Sequence, residues 1–561
     1  MGESTMWHRA AAVALTLSVI GGSMSCTGGH RPPAATADAT VPLFDGLGTH
    51  KRPVSTASFE ARRYFDQGLS FLYAFNHDEA LRAFRRATEI DPQFGMAWWG
   101  LATANGPHIN NSAVAPERER EGWEAAQRAA ALTAALPDGD RALIEAATKR
   151  FAPRSPKDRK PLDEAYAAAM REAYRSHPTD TDIGALFAEA MMDLRPWDLW
   201  AEDGSPHPGT EEIVATLEKV IAIDPNHPLA LHLYIHAVEA SPRPERAVAA
   251  ADRLRNLTPA LGHLVHMPSH IDVRTGAWDK AMAANTLAME ADRLYRERVP
   301  RQGFYRIYMA HNHQMYAWGA IMAGRSAEAI GAIGAMIDGI PPDYARDNPS
   351  LADGALAMQF EVLIRFGRWD DVLAAPDPEP QFPLARALRR AARGVARAAR
   401  GELDEAHAEQ QAYRTAAAAV PSTWPAGNNT AADLLGVVGK LLEGELLFRS
   451  GKQDEGLAAL REAVAREDRL RYNEPPDWIQ PVRHALGAAL LTAGRAAEAE
   501  AVYREDLRRL PHNGWSLYGL GRSLRLQGKD EEAARLEAEF ATTWAGADVS
   551  LRSSCFCQPG V

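Results

Sequence analysis

Large and small apolar residues follow one another in a fixed order over residues 64–92. The order is large, small, large, then small, large, small, before a proline: Tyr64, Gly68, Phe71, Ala80, Phe84, Ala87 and Pro92. Apolar residues spaced three and four apart predict amphipathic helices, and a proline ends a helix. Small residues let two helices approach closely. The segment therefore predicts two antiparallel helices that pack tightly against each other.

The same order of sizes returns twice towards the C-terminus, over 486–511 and 520–533, and more loosely between residues 247 and 406. A helix pair that recurs at this period is typical of tetratricopeptide repeats. Each pair buries its apolar faces against its neighbours, so the repeats stack into a superhelix with a concave groove. We therefore predict an all-α helical-repeat solenoid of the tetratricopeptide type.

The repeat order is absent from residues 111–215, although this stretch contains three amphipathic runs, and we predict a helical insertion there. The predicted organisation is a signal peptide at 1–26, a flexible linker at 27–55, an N-terminal repeat unit at 56–110, the insertion at 111–215, central histidine-rich repeats at 216–345, degenerate helical repeats at 346–430, C-terminal repeats at 431–550 and a tail at 551–561.

The N-terminal segment has the features of a targeting signal. An apolar run from Ala10 to Ile20 follows Arg9, and it is shorter than the roughly 20 residues that span a bilayer. A signal peptide is the better interpretation. The segment resembles a bacterial lipoprotein signal, in which a cysteine after small residues, here Cys26, is lipidated. We expect export to the periplasm or cell envelope, with membrane contact only through this anchor.

The composition indicates a folded protein, with 46% hydrophobic and 24% charged residues. A formal net charge of -11 argues against nucleic-acid binding. Three cysteines cannot form a disulfide framework. Cys555 and Cys557 either form a disulfide, bind a metal or lie in a disordered tail. The sequence contains no glycine-rich phosphate loop, no GxSxG elbow and no HExxH motif.

Histidines are concentrated in the central repeats, where seven of the 18 lie between residues 232 and 313. His232 and His236 are four residues apart, as are His266 and His270, and each pair therefore shares one helix face. The two pairs are 34 residues apart, which is one repeat length, so they occupy equivalent positions in successive repeats. In proteins of this fold, these positions face the concave groove. Neighbouring helices lie roughly 8–10 Å apart, so these side chains are expected to converge.

Imidazole is the commonest metal ligand, and a four-residue spacing on a helix chelates. We predict a transition-metal site that holds Zn, Cu or Fe. Its predicted ligands are His232, His236, Glu239, His263, His266, His270, His311 and His313. Glu239 is also the candidate catalytic group, as a ligand, an orienting group or a base. Two alternatives stay open: these histidines contact a peptide or other ligand, or they only pack.

Further residues are predicted to line the groove or its mouth: Trp99, His108, Asn110, Asn111, Tyr305 and Tyr308. Two other features are interpreted as structural. Glu189 and Asp193 share a helix face and suit a local ion pair better than acid–base catalysis. The segment 474–478, with sequence EPPDW, is expected to be a rigid turn.

Several segments also carry a family resemblance, from about residue 60 to 545: FNHDEALRAF, GMAWWG, GPHINN, PWDLW, HLYIHAVEAS, GHLVHMPSHI, HNHQM and EPPDWIQPVR. Together they resemble a bacterial tetratricopeptide family distantly similar to tetratricopeptide repeat protein 38. The resemblance implies a fold and no established activity. Members often carry two cysteines before the Trp-Trp pair and an Asn where His108 stands. This chain has no cysteine at residues 94–97.

These observations favour an exported repeat scaffold whose groove binds a peptide, a protein or a small molecule, with a metal site in the central repeats. A metal-dependent oxidoreductase or hydrolase that uses this site is one alternative. A metal-free adaptor for peptides or proteins is the other.

Overall fold

The computed structural model describes residues 41–558. Within this range the regular structure is helical, apart from a short ribbon of β1 (Pro425–Ala426) and β2 (Asn429–Thr430). The all-α prediction is confirmed. Residues 1–40, which include the predicted signal peptide and Cys26, lie outside the described residues.

The N-terminal part contains α1 (Phe59–Tyr73), α2 (His77–Ile90), α3 (Gly95–Asn105), α4 (Pro116–Ala130), α5 (Asp138–Ala147), α6 (Lys160–Ser176), α7 (Thr181–Met192) and α8 (Thr210–Ile223). The central part contains α9 (Pro228–Val238), α10 (Val248–Leu254), α11 (Gly262–His266), α12 (Pro268–Arg274), α13 (Trp278–Arg298), α14 (Arg306–Met322) and α15 (Ser326–Asp338).

The C-terminal part contains α16 (Pro342–Asp347), α17 (Pro349–Arg365), α18 (Trp369–Ala374), α19 (Pro383–Ala399), α20 (Leu403–Ala418), α21 (Ala431–Arg449), α22 (Gln453–Glu467), α23 (Val482–Thr492), α24 (Ala496–Arg509), α25 (Gly514–Leu526) and α26 (Asp530–Thr543). Helices pack mainly on their neighbours in sequence, as a repeat array requires. Helices α4 to α8, in the predicted insertion, continue this succession up to α9.

Short polar side chains fix where several helices begin. The Ser58 side chain accepts a hydrogen bond from the Ala61 N–H at the start of α1, and Asp180 does the same for Ile183 at the start of α7. Thr430 forms a capping box at α21. Each cap satisfies a backbone donor that the first helical turn leaves without a partner.

One aromatic ring between two glycines holds neighbouring helix pairs together, and the arrangement occurs at both ends of the array. A Cβ added to Gly68 or Gly100 would lie 2.7 or 2.4 Å from the Phe84 ring. A Cβ added to Gly487 or Gly519 would lie 2.4 or 2.2 Å from the Tyr503 ring. The small and large positions that the repeat pattern predicts therefore touch directly.

The C-terminal repeats pack back onto the central repeats, so the superhelix closes around its own interior. The Trp515 indole N–H donates to the Ile321 carbonyl at 2.7 Å. The Asp548 carboxylate accepts from the backbone N–H groups of Ser326 and Ala327 at the start of α15. These contacts join residues roughly 200 positions apart and bring the C-terminal repeats against the central ones.

The predicted flexible linker is wrong for residues 41–55, which lie against the N-terminal helices. The buried Arg52 guanidinium donates to the carboxylates of Asp140, Asp180 and Asp182 at about 3 Å. Asp182 also accepts from the Tyr73 hydroxyl at 2.6 Å. A low-complexity composition suggested a tether, but three carboxylates from distant helices fix this segment through one cation.

The tail is ordered as far as residue 558, in contrast to the disordered alternative considered for it. Cys555 and Cys557 form a disulfide and are buried. The Ser554 hydroxyl donates to the His484 carbonyl at 2.8 Å, and Arg365 donates to the Ser554 carbonyl. The tail therefore packs between α17 and α23. No helix among residues 41–558 is long and apolar enough to cross a membrane.

Replacing Gly487 with alanine tests the ring-between-glycines packing. The new methyl group would overlap the Tyr503 ring, and we expect unfolding to require about 1–3 kcal/mol less. Gly331→Ala is the matched control, because a Cβ there meets nothing within 4 Å and helix propensity favours alanine. Urea unfolding followed by circular dichroism measures both, and equal midpoints for the two variants would contradict this packing.

Candidate metal centre

Four helices bring six histidines together in the interior of the array. His232 and His236 lie on α9, His263 and His266 on α11, His270 on α12 and His311 on α14. Pro268 divides α11 from α12, but Met267 before it keeps helical dihedral angles of −50° and −38°. His263, His266 and His270 therefore stay near one face, as their spacing predicts.

The six imidazoles form two neighbouring triads. In the first triad (His232, His236 and His263) and the second triad (His266, His270 and His311), the candidate ligand atoms of each set lie within 4.8 Å of one another. The Nε2 atoms of His232 and His263 are 3.1 Å apart, and those of His266 and His270 are 2.9 Å apart. Ring centroids of His236 and His270, one from each triad, are 5.6 Å apart.

The opposite ring nitrogen, Nδ1, contacts an oxygen acceptor in five of these six histidines. His232 Nδ1 lies 3.0 Å from the Tyr73 carbonyl, and His266 Nδ1 lies 2.7 Å from Asn285 Oδ1. The corresponding distances are 2.9 Å from His236 to Glu239, 2.7 Å from His270 to Glu239, and 3.4 Å from His311 to Gln314. A proton held on Nδ1 leaves the Nε2 lone pair to face the other rings, which is the arrangement of metal-bound histidines.

Two carboxylates lie behind the triads and not between them. Glu239 bridges His236 and His270 through its two oxygens, and Glu474 contacts His270 Nδ1 at 2.9 Å. Burial disfavours the charged form of His270, but Glu239 and Glu474 outweigh it and raise the pKa of this imidazole to about 10. Burial disfavours the charged form of Glu239, but His270 and His236 outweigh it and lower the pKa of this carboxyl to about 2. Burial raises the pKa of Glu474 to about 7.

The other five imidazoles are neutral at pH 7. Burial, followed by neighbouring imidazoles, lowers the pKa of His232, His263 and His266 well below the ordinary value. Burial also lowers the pKa of His236, and it lowers that of His311 to about 3. Neutral imidazole is the form that binds metals. The Nε2 atom of His236 has no hydrogen-bond partner among the described residues.

Aromatic side chains enclose the first triad, and two of them have an unusual backbone. Phe75 packs 4.4 Å from the His232 ring, and Trp197 meets the His236 ring edge-on at 5.2 Å. Their φ angles are 55° and 58°. Positive φ is costly for bulky residues and persists where the surrounding structure requires it. Both strained residues that touch the triads therefore serve to place a ring against a histidine.

Two cavities reach the histidines from different sides. The central cavity has a volume of about 270 Å³ and is lined by His236, His263, His270, His311 and Glu474, together with Tyr308. The side chamber has a volume of about 980 Å³ and is reached by His236, Glu239, Trp197 and Arg274. Trp197 and His236 line both spaces. Four of the six histidines therefore line a cavity, whereas His232 and His266 line neither.

The remaining predicted residues lie at different distances from the triads. Tyr308 packs 4.1 Å from the His263 ring, and the Tyr305 hydroxyl accepts from the His263 N–H. Asn110 lines the central cavity. His108 packs against Phe75 at 4.5 Å, and its backbone pairs with that of Asn111.

Two predicted residues lie elsewhere. His313 belongs to neither triad, because it is two residues from His311 and points to another side of α14. Trp99 is 1% exposed and packs in the N-terminal core, because its helix α3 is buried on nearly every side.

Sequence reasoning missed the groups that hold the histidines in place. Glu474, interpreted as part of a structural turn, contacts a histidine 204 residues away. No motif in the sequence indicated that Tyr73, Asn285 and Trp197 contact the histidines. The available hint was that the segments PWDLW and EPPDW, which contain Trp197 and Glu474, are among those that carry the family resemblance.

Other clusters of potential ligands are satisfied by protein contacts. The Asp182 carboxylate accepts hydrogen bonds from His50, His227, Tyr73 and Arg52. The Arg52 guanidinium therefore already supplies the positive charge beside this carboxylate. Cys555 and Cys557 are joined in a disulfide, and the Glu445 carboxylate beside them is hydrogen-bonded to Gln558. Glu189 and Asp193 lie near Arg150, which donates to Asp193 at 2.9 Å, in keeping with a local ion pair.

Comparisons with known proteins identify the repeat but no function. Residues 61–94 match the family model of the tetratricopeptide repeat, so the chain contains a tetratricopeptide repeat within an all-α solenoid. No curated protein matches the chain.

Among solved structures, the chain resembles the APC/C hetero-tetramer Cut9-Hcn1 at 11% identity and a TM-score of 0.31, over 87% of this chain and 74% of that one. It resembles the human IFIT1 dimer with m7Gppp-AAAA at 12% identity and a TM-score of 0.28, over 87% and 91%. The P58(IPK) TPR domain matches at 11% identity and a TM-score of 0.21, over 84% and 99%. TM-scores this low support no argument about the site or the function.

Proposed function

We propose that this repeat protein is a metal-dependent enzyme whose centre is the pair of histidine triads. The observation that carries the proposal is the orientation of the imidazoles. Five Nδ1 atoms contact acceptors, while the Nε2 atoms of four of the rings face each other in two pairs at about 3 Å, His232 with His263 and His266 with His270. Packing alone does not require five buried imidazoles to turn Nδ1 towards an acceptor.

The donor set favours particular metals. All candidate ligand atoms of the two triads are imidazole nitrogens, and Glu239 and Glu474 contact the rings from behind. Imidazole suits Zn, Cu, Fe and Ni, whereas Mg²⁺ and Ca²⁺ require oxygen ligands. We infer that each triad holds one Zn, Cu or Fe ion, and that binding in the second triad displaces the extra proton of His270. Glu239 is the orienting group that His236 and His270 share.

Access to the centre favours catalysis over a purely structural metal. Structural metal sites are closed, whereas catalytic sites keep a position for water or substrate. The central cavity of about 270 Å³ and the side chamber both reach the triads. A bound metal would act there as a Lewis acid and activate water, and Cu or Fe would also react with dioxygen. Trp197 and Phe75 keep the surroundings apolar.

Other predictions extend this proposal. Helical-repeat scaffolds present extended concave surfaces that suit protein binding, so the concave face of this array fits such a role. Export, lipidation of Cys26 and a position in the cell envelope rest on residues 1–26 and stay predictions. The similarity to a bacterial family near tetratricopeptide repeat protein 38 also stays a prediction.

Metal content tests the proposal directly. We expect tag-free protein to contain up to two equivalents of one transition metal, and a His232→Ala/His266→Ala double variant to lose it, because each triad is left with two ligands. His407→Ala is the control, since His407 is exposed and far from the triads in sequence. Elemental analysis after dialysis measures all three proteins.

Oxygen uptake and ester or phosphoester hydrolysis are then assayed with the loaded protein. Absence of metal from the wild-type protein after reconstitution with Zn, Cu and Fe would refute the metal centre. Metal without turnover in either class of reaction would leave a metal-binding scaffold and refute the enzyme.

Glu239→Gln tests the shared orienting group. A glutamine keeps one acceptor oxygen but turns its amide N–H₂ towards the second imidazole, so either His236 loses its acceptor or His270 is left with Glu474 alone. Loss of such a contact lowers metal affinity by about 10–100-fold. Competition with a chromophoric chelator measures the affinity, and Glu531→Gln, at an exposed position, is the matched control. Equal affinity for both variants would contradict the assigned role.

A further inference from the structure

The side chamber differs chemically from the central cavity because arginines line it. Its walls include Arg195, Arg274, Arg469, Arg471, Arg508 and Arg509. Three of these are paired with carboxylates: Arg195 with Asp198, Arg508 with Glu505, and Arg509 with Asp468 and Glu505. The other three, Arg274, Arg469 and Arg471, have no carboxylate within ion-pair distance among residues 41–558.

Arg274 is the deepest of the three and lies beside the metal centre. It ends α12, one turn after His270, and lines the chamber next to His236 and Glu239. Its only hydrogen bond is a long one, 3.5 Å, to the Ser241 carbonyl, and its Nε atom is buried without a partner. Burying a guanidinium without a matching anion is costly.

The nearby carboxylates do not pair with Arg274 directly. Glu474 and Glu239 act on its charge only from beyond ion-pair distance. The two oxygens of Glu239 lie against His236 and His270, and Glu474 contacts His270 and accepts from the Tyr472 hydroxyl. Asp198 and Asp468 at the chamber wall are paired with other arginines. The Tyr472 ring lies 5.7 Å from the Arg274 guanidinium and holds it in place against the chamber wall. The five donors of the guanidinium are therefore left largely for a ligand.

We propose that the side chamber binds a small-molecule substrate with a carboxylate or phosphate group, which Arg274 pairs with beside the first triad. This inference rests on the proposed metal centre for its catalytic meaning, but the anion site itself needs no metal. Arg469 and Arg471 lie at the exposed mouth and attract the anion, whereas Arg274 fixes its position. A planar guanidinium matches both kinds of oxyanion through paired hydrogen bonds.

The chamber suits a substrate and not merely an ion. Its volume of about 980 Å³ lies within the range of small-molecule sites. Between Arg274 and the central cavity lie His236 and Trp197, which line both spaces. A molecule anchored by its oxyanion on Arg274 would therefore place its remaining atoms beside the Nε2 atom of His236, where a metal of the first triad is expected.

Anion binding by metal-depleted protein tests the inference independently of the metal. Isothermal titration calorimetry with inorganic phosphate and with succinate, on wild-type protein and on Arg274→Gln, is the experiment. We expect one of the two probes to bind the wild-type protein and to bind Arg274→Gln about tenfold or more weakly, because a charge-assisted hydrogen bond is lost. Arg414→Gln, at an exposed position on α20, removes the same charge and should bind like the wild type.

Folding and metal content of Arg274→Gln are checked by circular dichroism and elemental analysis, so that a misfolded variant is recognised. If the variant misfolds, Arg274→Lys replaces it, and it should bind the probe with weakened affinity because lysine keeps the charge without the fork.

Equal probe affinity in wild-type and Arg274 variants would overturn the inference, as would the absence of binding by either probe. Binding only to metal-loaded protein, unchanged by Arg274→Gln, would place the anion on the metal and would also overturn it. A different result refutes the proposed function: the absence of metal from the reconstituted wild-type protein.

Discussion

The structure depends on how six imidazoles are buried together. Rings that face one another through Nε2 present lone pairs to each other unless a proton or a metal lies between them. A proton on Nε2 of His263 joins it to His232, and one on His270 joins it to His266, at 3.1 and 2.9 Å. His236 has no such partner for its Nε2. A metal in each triad would satisfy all of these lone pairs together.

This constraint explains why distant parts of the chain meet at one place. The Nδ1 atoms need acceptors that are themselves fixed. Tyr73 supplies a carbonyl from the first repeat, Asn285 an amide from α13, and Glu474 a carboxylate from the loop before α23. Tyr73 is in turn held by Asp182, which belongs to the Arg52 network. These outer contacts thus connect distant parts of the array to the histidines at its centre.

The local sequence pattern was sufficient to predict the helices and to identify most of the candidate ligands. Spacings of three and four residues placed five histidines on shared helix faces, and the 34-residue offset between two pairs anticipated that they meet. His313 shows the limit of that reasoning, because membership of a helix does not fix which side a residue faces once neighbours are packed. Trp99 shows it too: a helix buried all round has no groove side.

The sequence by itself determined the all-α repeat architecture, the small and large packing positions, and the concentration of imidazole in the central repeats, because these follow from residue sizes and periods within about 34 positions. Only the tertiary structure decided that the array closes, that Glu474 and Arg274 stand beside the histidines, and that residues 41–55 are fixed by Arg52. Such contacts join residues far apart in the chain, where no local period connects them, and they depend on the summed curvature of many stacked helices.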